Sequence, residues 1–179
     1  DLIEKAFREV GLSGCLCYEV SDRNVEGEGL AENERFIKKC QKNQDDQMSA
    51  LFGMHASMTI GARTMERCVE SGKNLGAGFH IHVAEDGCDQ EATKARFGVA
   101  AVERLHKAGV TGEKTIFAHC IHLEEKDFDV LSETGTMVVT NPESNMNNAV
   151  GATPVLRLVK KGILLGLGTD GMTSSMIPS

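Results

Sequence analysis

The chain has 179 residues, a formal net charge of −7, 41% apolar residues and 19 glycines, enough for a single domain with a sizeable core. The acidic balance and the lack of a basic stripe argue against nucleic acid and anionic membrane as partners. No apolar run approaches the length of a bilayer span, and the charged, amphipathic opening DLIEKAFREVG reads as a helix, not a secretory leader, which points to the cytoplasm.

Leu2, Ile3, Ala6, Phe7 and Val10 repeat at helical spacing, and Gly11 suits the position just past a helix end. Residues 14–20 (GCLCYEV) then read as a strand, 30–41 as a helix, 50–56 (ALFGMHA) as a strand and 62–72 as a helix ending on glycine. Residues 76–85 (GAGFHIHVAE) form the next strand. Asp89 suits the N-cap of a following helix on which Ala95, Val99, Val102 and Leu105 share a face. A strand is expected at 114–120, a helix at 124–135 and a strand at 136–142 stopped by Pro142. The last helix covers 152–162, with Pro154 tolerable only in its first turn, and the last strand 163–171.

Each strand is thus separated from the next by a helix, which means a parallel sheet with crossover helices. A doubly wound open sheet and part of a (β/α)8 barrel both fit. A whole barrel takes about 250 residues, so this length would hold about six of its eight strands. The chain opens without methionine in mid-helix and closes on GMTSSMIPS, and so reads as a fragment of a longer protein. Cys15, Cys17, Cys40, Cys68, Cys88 and Cys120 form no C-x-x-C pair and are expected to be reduced, buried thiols.

In either architecture the active site lies at the C-terminal ends of the strands. His55, His82 with Glu85, His119, Asn141 and Asp170 fall at those ends, whereas His106 sits in mid-helix and is read as surface. A lone strand histidine is commonly a satisfied core residue, and an aspartate after a strand is commonly a helix cap. One metal centre explains all five strand ends together. Histidine nitrogens with a carboxylate suit zinc or another divalent transition metal, iron included. Such a metal activates water at neutral pH, and a nearby carboxylate must then move protons to the leaving group. Glu85 is placed for that task. His122, three residues past His119, falls in the following loop, where it could orient the site or contact substrate. His80 shares the inward face with His82 but lies one layer deeper, as a buried supporting residue.

The motifs HVAE, AHC, NPESN and LGLGTDG, in that order, resemble the amidohydrolase superfamily, in its branch of cytosine and guanine deaminases and triazine chlorohydrolases. GFHIHVAED, EVSDRN, ENERFIKKC and SNMNNAVG look further like an aminohydrolase family associated with selenium metabolism. The resemblance implies a metal-dependent (β/α)8 barrel that hydrolyses non-peptide C–N bonds, deaminating a cyclic amidine or N-heterocycle. It implies His82 as metal ligand from the fifth barrel strand, Glu85 as proton shuttle and His119 as a metal- or substrate-contacting histidine from the sixth. Asp170, from the eighth, would bind metal and orient the water. His55 would face substrate, and Asn141 with Ser144 and Asn145 would mark the loop after the seventh strand. The family carries an H-x-H pair on its first strand. HIH at 80–82 mimics that pair but precedes the glutamate, so it aligns to the fifth strand. The first two strands and a flanking β-sandwich are then absent, the metal site is incomplete, and the fragment alone is expected to be inactive and, with open sheet edges, to self-associate as a homo-oligomer. Chlorohydrolysis of a C–Cl bond and a non-catalytic structural role are the alternatives.

Overall fold

The computed structural model describes residues 2–171, 173 and 174. Helix α1 (Leu2–Glu9) precedes strand β1 (Gly14–Leu16). Helix α2 (Leu30–Asn43) leads to β2 (Met48–Ala50) and, after one residue, β3 (Phe52–Ala56). Then come α3 (Ala62–Asn74), β4 (Phe79–Val83), α4 (Gly87–Phe97), α5 (Ala101–Ala108) and β5 (Ile116–His119). The chain continues through α6 (Glu125–Thr134), β6 (Met137–Thr140), α7 (Pro142–Asn147), α8 (Val155–Lys160) and β7 (Leu165–Leu167). All pairings between these strands are parallel: β1 with β2, and a five-stranded sheet in the order β3-β4-β5-β6-β7. Strands in sequential order with helical crossovers make part of a (β/α)8 barrel.

The expected strand 50–56 is two strands because its partner changes. β1 pairs with β2, and beyond it Val20 forms a parallel bridge to Met54 of β3. Between the two ladders the direct pairing is interrupted, and the buried Asn33 of α2 bridges the two segments. Its Oδ1 accepts from the Tyr18 and Gly53 amides (2.9 and 3.1 Å), and its Nδ2 donates to the Tyr18 and Gly53 carbonyls (2.6 and 3.2 Å). One side-chain amide thus stands in for a missing peptide group. Gly53 is required there, since a Cβ would lie 2.4 Å from the Tyr18 carbonyl oxygen.

The helix expected after Asp89 is also two. Gly98, in the left-handed conformation (φ 74°), ends α4, and α5 restarts at Ala101. Asp86, not Asp89, caps α4, accepting from the Cys88 amide at 2.8 Å. Asp89 is buried and accepts from the amides of Ala84 (2.8 Å) and Met58 (3.3 Å), binding the loops after β4 and β3. Burial raises its pKa. Pro142 stops β6 and also opens α7 at its first position, where the missing N–H has no helical partner anyway.

The core lies between the sheet and its helices. Phe79, Ile81 and Val83 of β4 alternate into it, and Phe117, Phe128, Leu105, Leu131 and Leu158 are fully buried around them. Each such side chain contributes about 1.5–3 kcal/mol. The apolar side of α1 is not part of this core: Leu2 is 86% exposed, and Glu4 is the buried residue, held by Arg8 and Lys39. At the other sheet edge Leu167 is 83% exposed. The thiols split, with no disulfide: Cys68 and Cys120 are buried, Cys40 half-buried, and Cys15, Cys17 and Cys88 exposed. The expectation of buried cysteines fails for those last three: Cys15 lies on the short strand β1, Cys17 just past its end and Cys88 in the first turn of α4.

Candidate metal centre

Strand alternation puts His80 and His82 on the face of β4 opposite the core. The register sets His82 beside Ala56 of β3 and Ala118 of β5, and Val83 beside His119. Register alone would pair His119 with the core-facing Val83, but its backbone leaves strand geometry (φ 70°), and the irregular pairing of β3 places His55 beside His82. The rings of His55, His82 and His119 so form a row, with centroids 5.5 Å apart in each adjacent pair.

Their hydrogen bonds follow one pattern. His82 Nδ1 donates to the His55 carbonyl (2.8 Å). His55 Nδ1 bonds the Thr59 hydroxyl (2.7 Å), whose own proton goes to the Ala56 carbonyl. His119 Nδ1 bonds Asn145 Oδ1 (2.9 Å). The orientation of Asn145 is fixed in turn: its Nδ2 faces Thr153 Oγ1, which accepts from Thr140 and donates to the His119 carbonyl at 2.7 Å. Each ring thus commits Nδ1 to the protein and leaves the Nε2 lone pair for the rim, the tautomer a metal ligand needs.

Asp170 follows β7 and meets this row. The ligand atoms of His82, His119 and Asp170 lie within 4.8 Å of one another. Burial disfavours the charged carboxylate, but Ser144 Oγ (2.5 Å), the Gly171 amide (2.8 Å) and nearby His119 hold its pKa below the usual value. Glu85 Oε2 lies 3.6 Å from His119 Nε2, so the acid closes the rim between β4 and β5. Asn141 Nδ2 lies 3.4–3.5 Å from both nitrogens of the His119 ring. The close approach needs Gly168, where a Cβ would fall 2.2 Å from Asn141 Oδ1. A backbone signature accompanies the site: Ala84, His119, Cys120 and Asp170 are non-glycine residues with φ between 49° and 70°. Each is strained by about 1–3 kcal/mol, and such residues cluster where surroundings dictate geometry.

The other expected site residues fall in three places. His80 lies deeper, its Nδ1 3.6 Å from Cys17 Sγ, and burial, then the charges of His82 and His119, lower its pKa. Asn145 is buried and engaged with His119 and Thr153, so it orients a histidine instead of facing the rim. His122 is exposed and turned away: its Nε2 bonds the Val150 carbonyl (2.8 Å), tying two loops together. His106 is exposed on α5, as expected. Glu19 was not anticipated. Its carboxylate joins His55 and His82 in a second group of ligand atoms within 4.8 Å, on the far side of His82 from Asp170. No local pattern marks it, because its position depends on how residues 17–20 run beside β3. Burial keeps the His55 imidazole below its ordinary pKa.

The donor set fits a divalent metal: imidazole Nε2 atoms and a carboxylate, each oriented by a second hydrogen bond.

Residues 1–178 match the amidohydrolase family. The chain is 32% identical over 176 residues to a 5-methylthioadenosine/S-adenosylhomocysteine deaminase of Desulforudis audaxviator, covering 98% of this chain and 41% of the relative. It is 33% identical over 178 residues to a 5'-deoxyadenosine deaminase of Methanosarcina barkeri, again 98% of this chain and 41% of the relative. The chain therefore spans about two-fifths of the length of these curated relatives. An adenosine deaminase from Xanthomonas campestris with bound zinc superposes with a TM-score of 0.87 at 24% identity, over 95% of this chain and 39% of that one. A guanine deaminase from C. acetobutylicum with guanine in its active site gives 0.86 at 20% identity, over 96% and 44%.

Proposed function

Because the chain belongs to the amidohydrolase family, we propose that it carries the chemical half of a metal-dependent aminohydrolase acting on a cyclic amidine or N-heterocycle. The observation that carries this reading is the row of three histidines with Nδ1 committed and Nε2 open, meeting Asp170 and Glu85 at one rim. His82, His119 and Asp170 would hold the metal, zinc in the first place and iron as the alternative. The metal would supply a Lewis acid that makes water nucleophilic near neutral pH.

Around that chemistry the protein residues divide the work. Asp170, its carboxylate fixed by Ser144 and Gly171, would orient the water. Glu85, beside His119 and a third exposed, takes a proton from that water and delivers it to the departing amine. His119, buried and fixed through Asn145, aims its Nε2 at the same point. His55 and Asn141 flank the position a substrate ring would take. The curated relatives are named for methylthioadenosine, S-adenosylhomocysteine and 5'-deoxyadenosine, which supports a purine-like ring. The motif likeness to the selenium-metabolism-associated aminohydrolases favours the same bond type.

The first two barrel strands, with the family's H-x-H pair, and the flanking β-sandwich would come from sequence beyond these residues, so the piece alone would be inactive. Its open edges would drive self-association. Among the described residues no helix is long and apolar enough to cross a membrane, and a cytoplasmic setting is part of the same proposal.

The test is metal analysis of the full-length protein with ammonia release from purines, pyrimidines, pterins and triazines. About one divalent metal per chain and ammonia from one of these rings is the expected result. Chloride release from a chlorotriazine without ammonia would move the reading to C–Cl hydrolysis. A protein that holds no metal and releases neither would overturn it in favour of a non-catalytic role.

A further inference from the structure

Glu19 stands opposite Asp170 across His82, on the wall formed by residues 17–20 and β3. The Val20 bridge to Met54, with the Val20 amide on the Gly53 carbonyl at 3.2 Å and the His55 amide on the Val20 carbonyl at 2.9 Å, fixes the backbone beside it. Its Oε1 takes the guanidinium of Arg23, which also reaches Ser21 Oγ. The remaining carboxylate oxygen is an acceptor. His55, with Nδ1–H on Thr59, presents an Nε2 lone pair, also an acceptor. The two lie within 4.8 Å of each other and of His82. His82 cannot supply a donor either, because its Nδ1–H is on the His55 carbonyl.

Glu19 and His55 therefore present acceptors here, and the neighbouring Arg23 is held by Glu19 and Ser21. A ring edge that also carries only acceptors would leave lone pairs facing lone pairs. A ring edge with N–H groups would satisfy both. We propose that Glu19, with His55, is a specificity determinant that selects N-heterocycles bearing an N–H donor, such as an extra exocyclic amine, on the edge away from the reacting carbon. This rests on the aminohydrolase reading and names the substrate class of that site.

The test uses the full-length, zinc-loaded protein carrying Glu85→Gln to suppress turnover, with adenine and 2,6-diaminopurine as ligands in calorimetry. The two share a leaving group and differ by one added amine. The diamino ring should bind about tenfold or more tightly, the usual worth of a hydrogen bond to a charged group. Adding Glu19→Gln, which keeps the shape, should abolish most of that preference. A folding defect would weaken both ligands together and leave the ratio intact. Equal affinities, a preference that survives Glu19→Gln, or binding of neither purine would overturn the proposal. So would a second zinc equivalent lost with Glu19→Gln, which would assign the acceptors to a metal. The two readings fail separately. Protein with Glu85 that deaminates adenine without the preference sinks only the Glu19 role. Protein that shows the preference but releases no ammonia sinks only the deamination.

Discussion

The two faces of β4 are built from alternate residues of one five-residue strand, yet they obey different rules. Phe79, Ile81 and Val83 are buried among helices, and their neighbours contribute by volume and shape. His80 and His82 face the other way, and there each Nδ1 is assigned a partner, which fixes the ring's orientation. At β5 the backbone makes the contrast instead of alternation: Phe117 is core, and His119, two residues on and equally inaccessible, leaves strand geometry (φ 70°) and is held by hydrogen bonds. The core face tolerates change in proportion to lost volume. The rim face should tolerate little change in chemistry while contributing little to stability.

The largest separation is expected at Glu85, whose carboxylate lies at the rim beside His119 Nε2. Glu85→Gln in the full-length protein should lower turnover by about 10²- to 10⁴-fold, with the unfolding free energy changing by no more than about 1 kcal/mol. Turnover within a factor of a few of wild type would remove the proton-transfer role.

The mirror experiment is Phe117→Ala on the other face. Deleting a fully buried ring should destabilise by about 3–5 kcal/mol in equilibrium denaturation. Metal affinity of the surviving folded fraction should stay near wild type. A large loss of affinity in the folded protein would show that the two faces are mechanically coupled.

How far the sequence reached follows the same division. Strand alternation, glycine stops and histidines at strand ends are local signals, so the parallel βα order and the group His82, Glu85, His119 and Asp170 were legible. What depends on distant partners was not. Asn33 sits on an amphipathic helix like any polar residue, and nothing nearby says that it bridges two backbone segments. Asn145 lies on α7, where a loop was expected, and points at a histidine 26 residues away. Glu19 has no signal at all until residues 17–20 are laid beside β3. The break at Gly98 was legible in principle, since a glycine between two apolar stretches suits a left-handed cap, but the apolar spacing across it masked the boundary.

A smaller effect is expected one layer behind the rim. Asn145→Ala removes the acceptor that fixes His119 Nδ1 and leaves Thr153 with one fewer partner. Metal affinity should fall about 10- to 100-fold, the usual range for a group that orients a ligand. Isothermal titration with zinc would measure it. Asn145→Asp, which keeps the acceptor, should recover most of the affinity. Equal losses in both variants would make Asn145 a packing residue.

The smallest effect is expected away from both faces, at Asp22. Its carboxylate accepts from the amides of Gly61 (2.6 Å) and Gly27 (2.7 Å) and from the Thr64 hydroxyl (2.8 Å), pinning the start of α3 to the loop after residue 20. Burial favours the neutral acid, but these three donors prevail and hold the pKa below its ordinary value. A folded-state pKa below the unfolded one means the ionised form favours folding, so the contribution is complete above the unfolded value of about 3.9 and fades as pH falls through the folded one. Asp22→Asn keeps much of the hydrogen bonding without the titration. Denaturation midpoints between about pH 6 and pH 3 should therefore fall slightly less steeply in the variant than in wild type. A variant with the same slope would place the acid sensitivity elsewhere, and one with a steeper slope would reverse the sign assigned to Asp22.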